Sequence, residues 1–266
     1  MKTITTVFLI IMLFTNCTNG NSQGKLLSSD YRIFKNTPVW QLAEAVKDED
    51  TISITSIIKG NRKFVDYVDP IYGNTLLMLA VYNRNYNSVK KLLELGADPN
   101  KQALNDRESA LMMAAERSLE EGINPSEDVR YLKVLLKYGG NPNAIQEGDL
   151  AKKGSRHYST PLIYACFSGI FEHVKVLVEA GGDINFTSKY GTTPLFASLV
   201  GRNPDIVLYL LNKGANYNAV MQTSIDGKKI YILEYLNEPW WQFEPNSEKY
   251  KKVQEIKDFL KAHGVK

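Results

Sequence analysis

Residues 160–185, TPLIYACFSGIFEHVKVLVEAGGDIN, and residues 193–218, TPLFASLVGRNPDIVLYLLNKGANYN, decide the fold. They are two copies of one pattern, set 33 residues apart. Each opens on Thr-Pro-Leu, carries an apolar position 17 residues after the Thr (Leu177, Leu210), and closes on a glycine turn followed by Asn. Working outward, Thr75-Leu76-Leu77 fills the opening slot of an earlier copy that closes Leu95-Gly96-Ala97-Asp98-Pro99-Asn100. Ser109-Ala110-Leu111 opens another, which closes Tyr138-Gly139-Gly140-Asn141-Pro142-Asn143. A fixed period of this size is the mark of a repeat architecture.

Each slot has a physical reading. Thr before a helix caps N–H groups that lack an intrahelical partner, and Pro in the first turn gives up a bond that would not form anyway. The Val-x-x-Leu-Leu stripe gives a second helix an apolar face at the 3.6-residue period. Small Ala residues let first helices approach closely. Gly96, Gly139, Gly181 and Gly214 stand where helices end and a positive φ is needed. A helix pair of this length cannot bury its apolar face alone, so stacking must build the core and the terminal units must act as caps.

The frame Gly-x-Thr-Pro-Leu-x-x-Ala, then Val-x-x-Leu-Leu-x-x-Gly-Ala-x-x-Asn, resembles the ankyrin repeat. That resemblance implies an all-α solenoid of helix-turn-helix units with hairpin-like loops, binding other proteins through its concave face and hairpin tips. It covers residues 42–218 well and the C-terminal segment weakly. The folded domain is read as residues 37–266. It comprises an N-terminal cap (37–68), repeats 69–101, 102–144, 155–186 and 187–219, and a C-terminal cap (225–266).

Three insertions depart from the frame. Residues 116–128 are acidic and punctuated by Gly and Pro, and fall between the two helices of a unit, opposite the tips. Residues 145–158 lie at a hairpin tip and bring Lys152, Lys153, Arg156, His157 and Tyr158. Residues 237–249 carry Trp240, Trp241 and Phe243, which either cover the open end of the solenoid or form a binding patch. The other tips offer Tyr67, Tyr72, Phe186, Tyr190 and Tyr217. Aromatic side chains give large contact area at low entropic cost. These tip residues, with the basic loop and Trp240 and Trp241, form the expected partner-binding set.

Nothing points to catalysis. There is no Gly-x-Ser-x-Gly, His-Glu-x-x-His or phosphate-binding loop. The three histidines, His157, His173 and His263, are far apart, and His173 is assigned to a slot facing solvent. Cys166 falls at a packed helical position. No metal site, cofactor, small-molecule substrate or nucleic acid is expected. The net charge of only +3, from 32 basic and 29 acidic residues, argues against a nucleic-acid binder. With 44% hydrophobic and 23% charged residues in 266, the chain has the composition of a folded protein rather than a disordered one.

The first residues read as an export signal. Lys2 precedes the apolar run Val7-Phe8-Leu9-Ile10-Ile11-Met12-Leu13-Phe14, too short to span a bilayer. Leu13-Phe14-Thr15-Asn16-Cys17 resembles a bacterial lipobox, although Asn16 and Phe14 depart from the usual residues. Residues 1–17 are thus read as a signal peptide with Cys17 as the lipidation site, and 18–36 as a flexible tether. Ordinary signal-peptidase cleavage near Gly20 or Ser22 is the rival. The expected location is the periplasm, with membrane contact through the N-terminal lipid only. Exported bacterial proteins of similar build include immunity proteins that neutralise type VI secretion toxins, phospholipases among them. A secreted toxin is therefore one partner to consider. An envelope scaffold and a stress-protection factor are the others.

Overall fold

Thr75, Thr160 and Thr193 each stand one residue ahead of a helix. Their hydroxyl oxygens accept the backbone N–H of Met78 (3.2 Å), Ile163 (3.4 Å) and Phe196 (3.1 Å). Ser109 does the same for Met112 at 3.3 Å. Each cap is worth about 1 kcal/mol and fixes where its unit begins. The computed structural model describes residues 26–116, 129–146, 158–223, 227 and 229–265.

The helices come in pairs. They are α1 (Trp40–Lys47) with α2 (Thr51–Gly60), α3 (Leu76–Tyr82) with α4 (Tyr86–Glu94), and α5 (Ala110–Glu116) with α6 (Val129–Lys137). They continue as α7 (Pro161–Ser168) with α8 (Phe171–Glu179), α9 (Pro194–Val200) with α10 (Pro204–Asn212), and α11 (Ile232–Leu236) with α12 (Glu248–Ala262). The first helices α1, α3, α5, α7 and α9 pack side by side as one row. The second helices α2, α4, α6, α8, α10 and α12 form another behind it. Ala80, Ala114, Ala165 and Ser198 occupy one buried column of the first row, where a larger side chain would hold the helices apart. The apolar stripes of both rows meet in one continuous core that runs from Tyr31 to Leu260. Two two-residue strands, β1 (Gln222–Thr223) and β2 (Lys229–Ile230), pair antiparallel after the last full repeat.

The Asn that closes each unit stitches it to the next. Asn100 Nδ2 donates to Gly139 O and its Oδ1 accepts Asn141 N–H. Asn143 repeats this on Gly181 and Asp183, at 2.9 and 2.8 Å. Asn185 repeats it on Gly214 and Asn216, at 3.2 and 2.8 Å. At the first junction Asp66 keeps the acceptor half, taking Asp98 N–H at 3.0 Å. Asn143→Ala removes one such pair of bonds at an exposed turn, where water replaces part of them. The expected cost is about 1–2 kcal/mol in urea unfolding. Asn143→Asp, which keeps only the acceptor, should fall between.

The N-terminal boundary differs from the sequence reading. Residues 26–36 are not a tether but part of the cap. Tyr31, Ile33 and Phe34 of the 3-10 turn Tyr31–Phe34 are buried, because the first helix pair has no preceding unit to cover it. The signal segment 1–17 and Cys17 lie outside the described residues, as does residues 117–128 of the first insertion.

Candidate partner-binding edge

The hairpin tips line up along one edge of the two rows. At the tip after α6, the turn is closed by Gln146, whose N–H donates to Ser159 O (3.0 Å) and whose carbonyl accepts Tyr158 N–H (3.2 Å). The Gln146 side chain is buried. Its Nε2 donates to Asp106 O, and its Oε1 accepts the Tyr164 hydroxyl at 3.0 Å. The two ends of the 147–157 insertion are therefore clamped together. Lys152, Lys153, Arg156 and His157, all within it, lie outside the described residues.

This clamp holds Tyr158 at φ +64°, a left-handed conformation that costs a bulky residue on the order of 1 kcal/mol. The result is a specific placement. The Tyr158 ring meets Tyr190 edge-on at 6.1 Å between centroids, and Lys189 Nζ lies 4.9 Å from the Tyr158 ring. Tyr190 is 58% exposed. Two tyrosines from neighbouring tips thus form a pre-set aromatic pair with a cation beside it.

The other expected residues are engaged elsewhere. Tyr67 is half-buried with its ring 6.5 Å from Phe34, and Tyr72 donates its hydroxyl to Leu26 O at 2.6 Å. Phe186 is half-buried against the core. Tyr217 packs edge-on against Phe259 and His263. It also lines a shallow cavity of about 300 Å³ with Tyr231, Leu233 and Val265. Trp240 is half-buried edge-on to Tyr235, which in turn meets Phe196 of α9. Trp241 is corrected from binding residue to core. It is 1% exposed, because the insertion folds over the end of the solenoid with Phe243 against Arg202. Lys189, Leu104 and Ile71 also lie along this edge. The sequence reading passed over them, since only aromatics and the basic insertion were sought.

His173 is also corrected. It is fully buried, not solvent-facing. It occupies the column of Ser88 and Tyr131, whose hydroxyls donate to Val46 O (2.6 Å) and Arg84 O (2.7 Å) at the end of the preceding unit's first helix. His173 Nδ1 meets Ala115 O at 3.2 Å in the same way, so this nitrogen carries the proton. Nε2 is buried without a partner among the described residues. Burial lowers the pKa of His173 below its ordinary 6.5, outweighing the Ala115 carbonyl and Glu172. The sign follows. Below about pH 6.5 the unfolded chain takes a proton that the native state refuses, so stability falls as pH drops. His173→Ile, matching Ile206 in the next unit, should flatten unfolding free energy between pH 7 and pH 5.

Cys166 is fully buried, and burial pushes its thiol pKa far up, which leaves it unreactive. Among the described residues no group of three or more His, Cys, Asp or Glu side chains stands together as a metal site would. Among them, too, no helix is long and apolar enough to cross a membrane.

Comparison with known proteins agrees with this architecture. A family model for ankyrin repeats matches three times, over residues 13–146, 77–185 and 111–221. Protein PhlB of Serratia liquefaciens is 35% identical over 121 residues, 46% of this chain and 45% of that one. A putative ankyrin repeat protein of Borreliella burgdorferi is 23% identical over 233 residues, 85% of this chain and 88% of that one. The crystal structure of EF0377, an ankyrin repeat protein, superposes with a TM-score of 0.58 at 27% identity, covering 84% of this chain and 97% of that one. The chain spans less than half the length of the first curated relatives it matches.

Proposed function

The chain belongs to the ankyrin-repeat family, and from that premise we propose that it is a non-enzymatic protein-binding scaffold, exported and lipid-anchored at Cys17, that grips one partner along its hairpin tips. Ankyrin repeats imply a scaffold for protein partners. The observation that carries the hairpin-tip reading is the Tyr158–Tyr190 pair with Lys189, pre-set by a strained backbone, with Tyr190 58% exposed and Tyr158 half-buried beside it. Rigid aromatics beside a cation are the chemistry that dominates interface energies. In the adjoining insertion Lys152, Lys153 and Arg156 are largely offset in charge by Glu147 and Asp149, so the aromatic pair, not a field of one sign, carries the recognition.

The test is a pull-down from the producing cells and from their secreted fraction, with the native chain and with Tyr190→Ala as baits. Tyr190→Ala should weaken the partner roughly 30-fold, equivalent to about 2 kcal/mol, while thermal stability stays unchanged. A partner held equally by both baits would place binding elsewhere. Capture of a single secreted toxin would identify the scaffold as an immunity protein. A resident envelope protein would identify it as a structural scaffold.

A further inference from the structure

Six large apolar side chains are exposed among the described residues, and three of them gather at one corner: Leu27 (73%), Ile71 (47%) and Leu104 (58%). Hydrogen bonds hold this corner together. Tyr72 donates its hydroxyl to Leu26 O, and Asn74 Nδ2 donates to Ser28 O at 3.1 Å. Asn105 donates its backbone N–H to Tyr72 O and its Nδ2 to Ile71 O. Leu104 lies directly over Gly73, where a Cβ would collide with it. The N-terminal segment is thereby stapled to the first hairpin tip, and the second tip to the first, with residue 26, where the described residues begin, at this corner.

We propose that this corner rests on a lipid bilayer, with Leu27, Ile71 and Leu104 as shallow insertion residues. The proposal builds on the reading of Cys17 as the lipid-bearing residue. Cys17 is ten residues before Leu27, so no arrangement of the intervening chain takes the corner farther than about 35 Å from the acylated residue. The corner is thus within reach of a membrane that holds a lipid at Cys17. Its chemistry suits lipid better than protein. The carbonyls of Leu26, Ile71 and Tyr72 already accept hydrogen bonds, so the backbone beside the three apolar side chains can approach acyl chains without leaving those groups unpaired. Apolar side chains at the interface supply a second contact beside the acyl anchor, and two signals hold a protein far better than one. The solenoid would then stand with its first tips on the membrane and the Tyr158–Tyr190 pair farther out.

The experiment uses the full chain, extracted from producing cells and placed in vesicles of phosphatidylethanolamine and phosphatidylglycerol. Leu27→Cys, Leu104→Cys and, as a control on α2, Ile52→Cys (81% exposed in the native chain) each carry an environment-sensitive fluorophore. Buried Cys166 does not compete for label, and the chain without an introduced cysteine, treated in parallel, reads any label taken by an unmodified Cys17. Some vesicles contain lipids with a nitroxide on the acyl chain, and the N-terminal peptide of each preparation is weighed by mass spectrometry. The expected result is a blue shift and nitroxide quenching at 27 and 104, none at 52, and an acylated Cys17. An acylated Cys17 with both probes in water overturns the corner and leaves the anchor standing. An unmodified Cys17 with quenched probes overturns the anchor and leaves the corner standing. Unmodified Cys17 with both probes in water overturns both. Probes shielded without nitroxide quenching mean that a protein or a second copy covers the corner, which also overturns the proposal. Leu27→Cys keeps the test valid if Leu104→Cys disturbs its packing on Gly73.

Discussion

Trp241→Ala should destabilise the chain by about 3–5 kcal/mol, the range for removing a large aromatic from a packed core. The side chain is 1% exposed and meets Phe243 edge-on at 5.8 Å, in the segment that closes the last full repeat. In a stacked array each unit touches only its neighbours, so the damage should be local. Amide exchange in α11 and α12 should become fast, while α3 to α9 stay protected. Urea unfolding should change from one transition to two. Trp241→Phe is the contrast. Trp241 Nε1 has no hydrogen-bond partner among the described residues, so losing the N–H removes no bond. Only volume is lost, and the expected cost is about 1 kcal/mol. Equal losses for the two variants would mean that the cap needs the full bicyclic shape and gains nothing from a smaller ring in its place.

Gly73→Ala should cost about 2–5 kcal/mol, from two sources that can be separated. Gly73 has φ +74°, which an alanine adopts at a penalty of roughly 1–2 kcal/mol. A Cβ there would also lie 2.7 Å from the Leu104 backbone nitrogen and closer still to its side chain, so the neighbouring tip must move. Overpacking of this kind adds about 1–3 kcal/mol. Gly191 has nearly the same backbone, φ +79°, with open space where its Cβ would be. Gly191→Ala therefore measures the backbone penalty alone. The difference in urea midpoint between the two variants reports the contact between the first two tips. A null difference would mean that Leu104 moves aside freely.

Much of the architecture was legible because its cues are local and periodic. Thr160-Pro161 and Thr193-Pro194 fix helix starts through a hydroxyl and a missing N–H, and the Leu177 and Leu210 slots fix which face is buried. The cap residues were less legible. Tyr31 and Phe34 carry no repeat signature, and a polar stretch before them reads as linker until the uncovered first pair is seen. His173 was misassigned because its slot on the second helix of the repeat reads as facing solvent. Its burial is explained only by the carbonyl of Ala115 in the neighbouring unit, which no local pattern reveals. At the candidate edge, the basic insertion was visible as extra length. The Tyr158–Tyr190 pair required knowing that Gln146 clamps the insertion and turns Tyr158 outward toward the next tip.

The asparagine stitching has a consequence for how such a chain can change in length. Each Asn side chain reads only main-chain atoms of the following unit: the carbonyl of a glycine and the N–H two residues later. Neither partner has a side-chain identity to match. A unit could therefore be duplicated, deleted or moved within the array, and the new junction would be hydrogen-bonded at once without any compensating substitution. The side chains on the outer edge are then left to vary with whatever they must recognise.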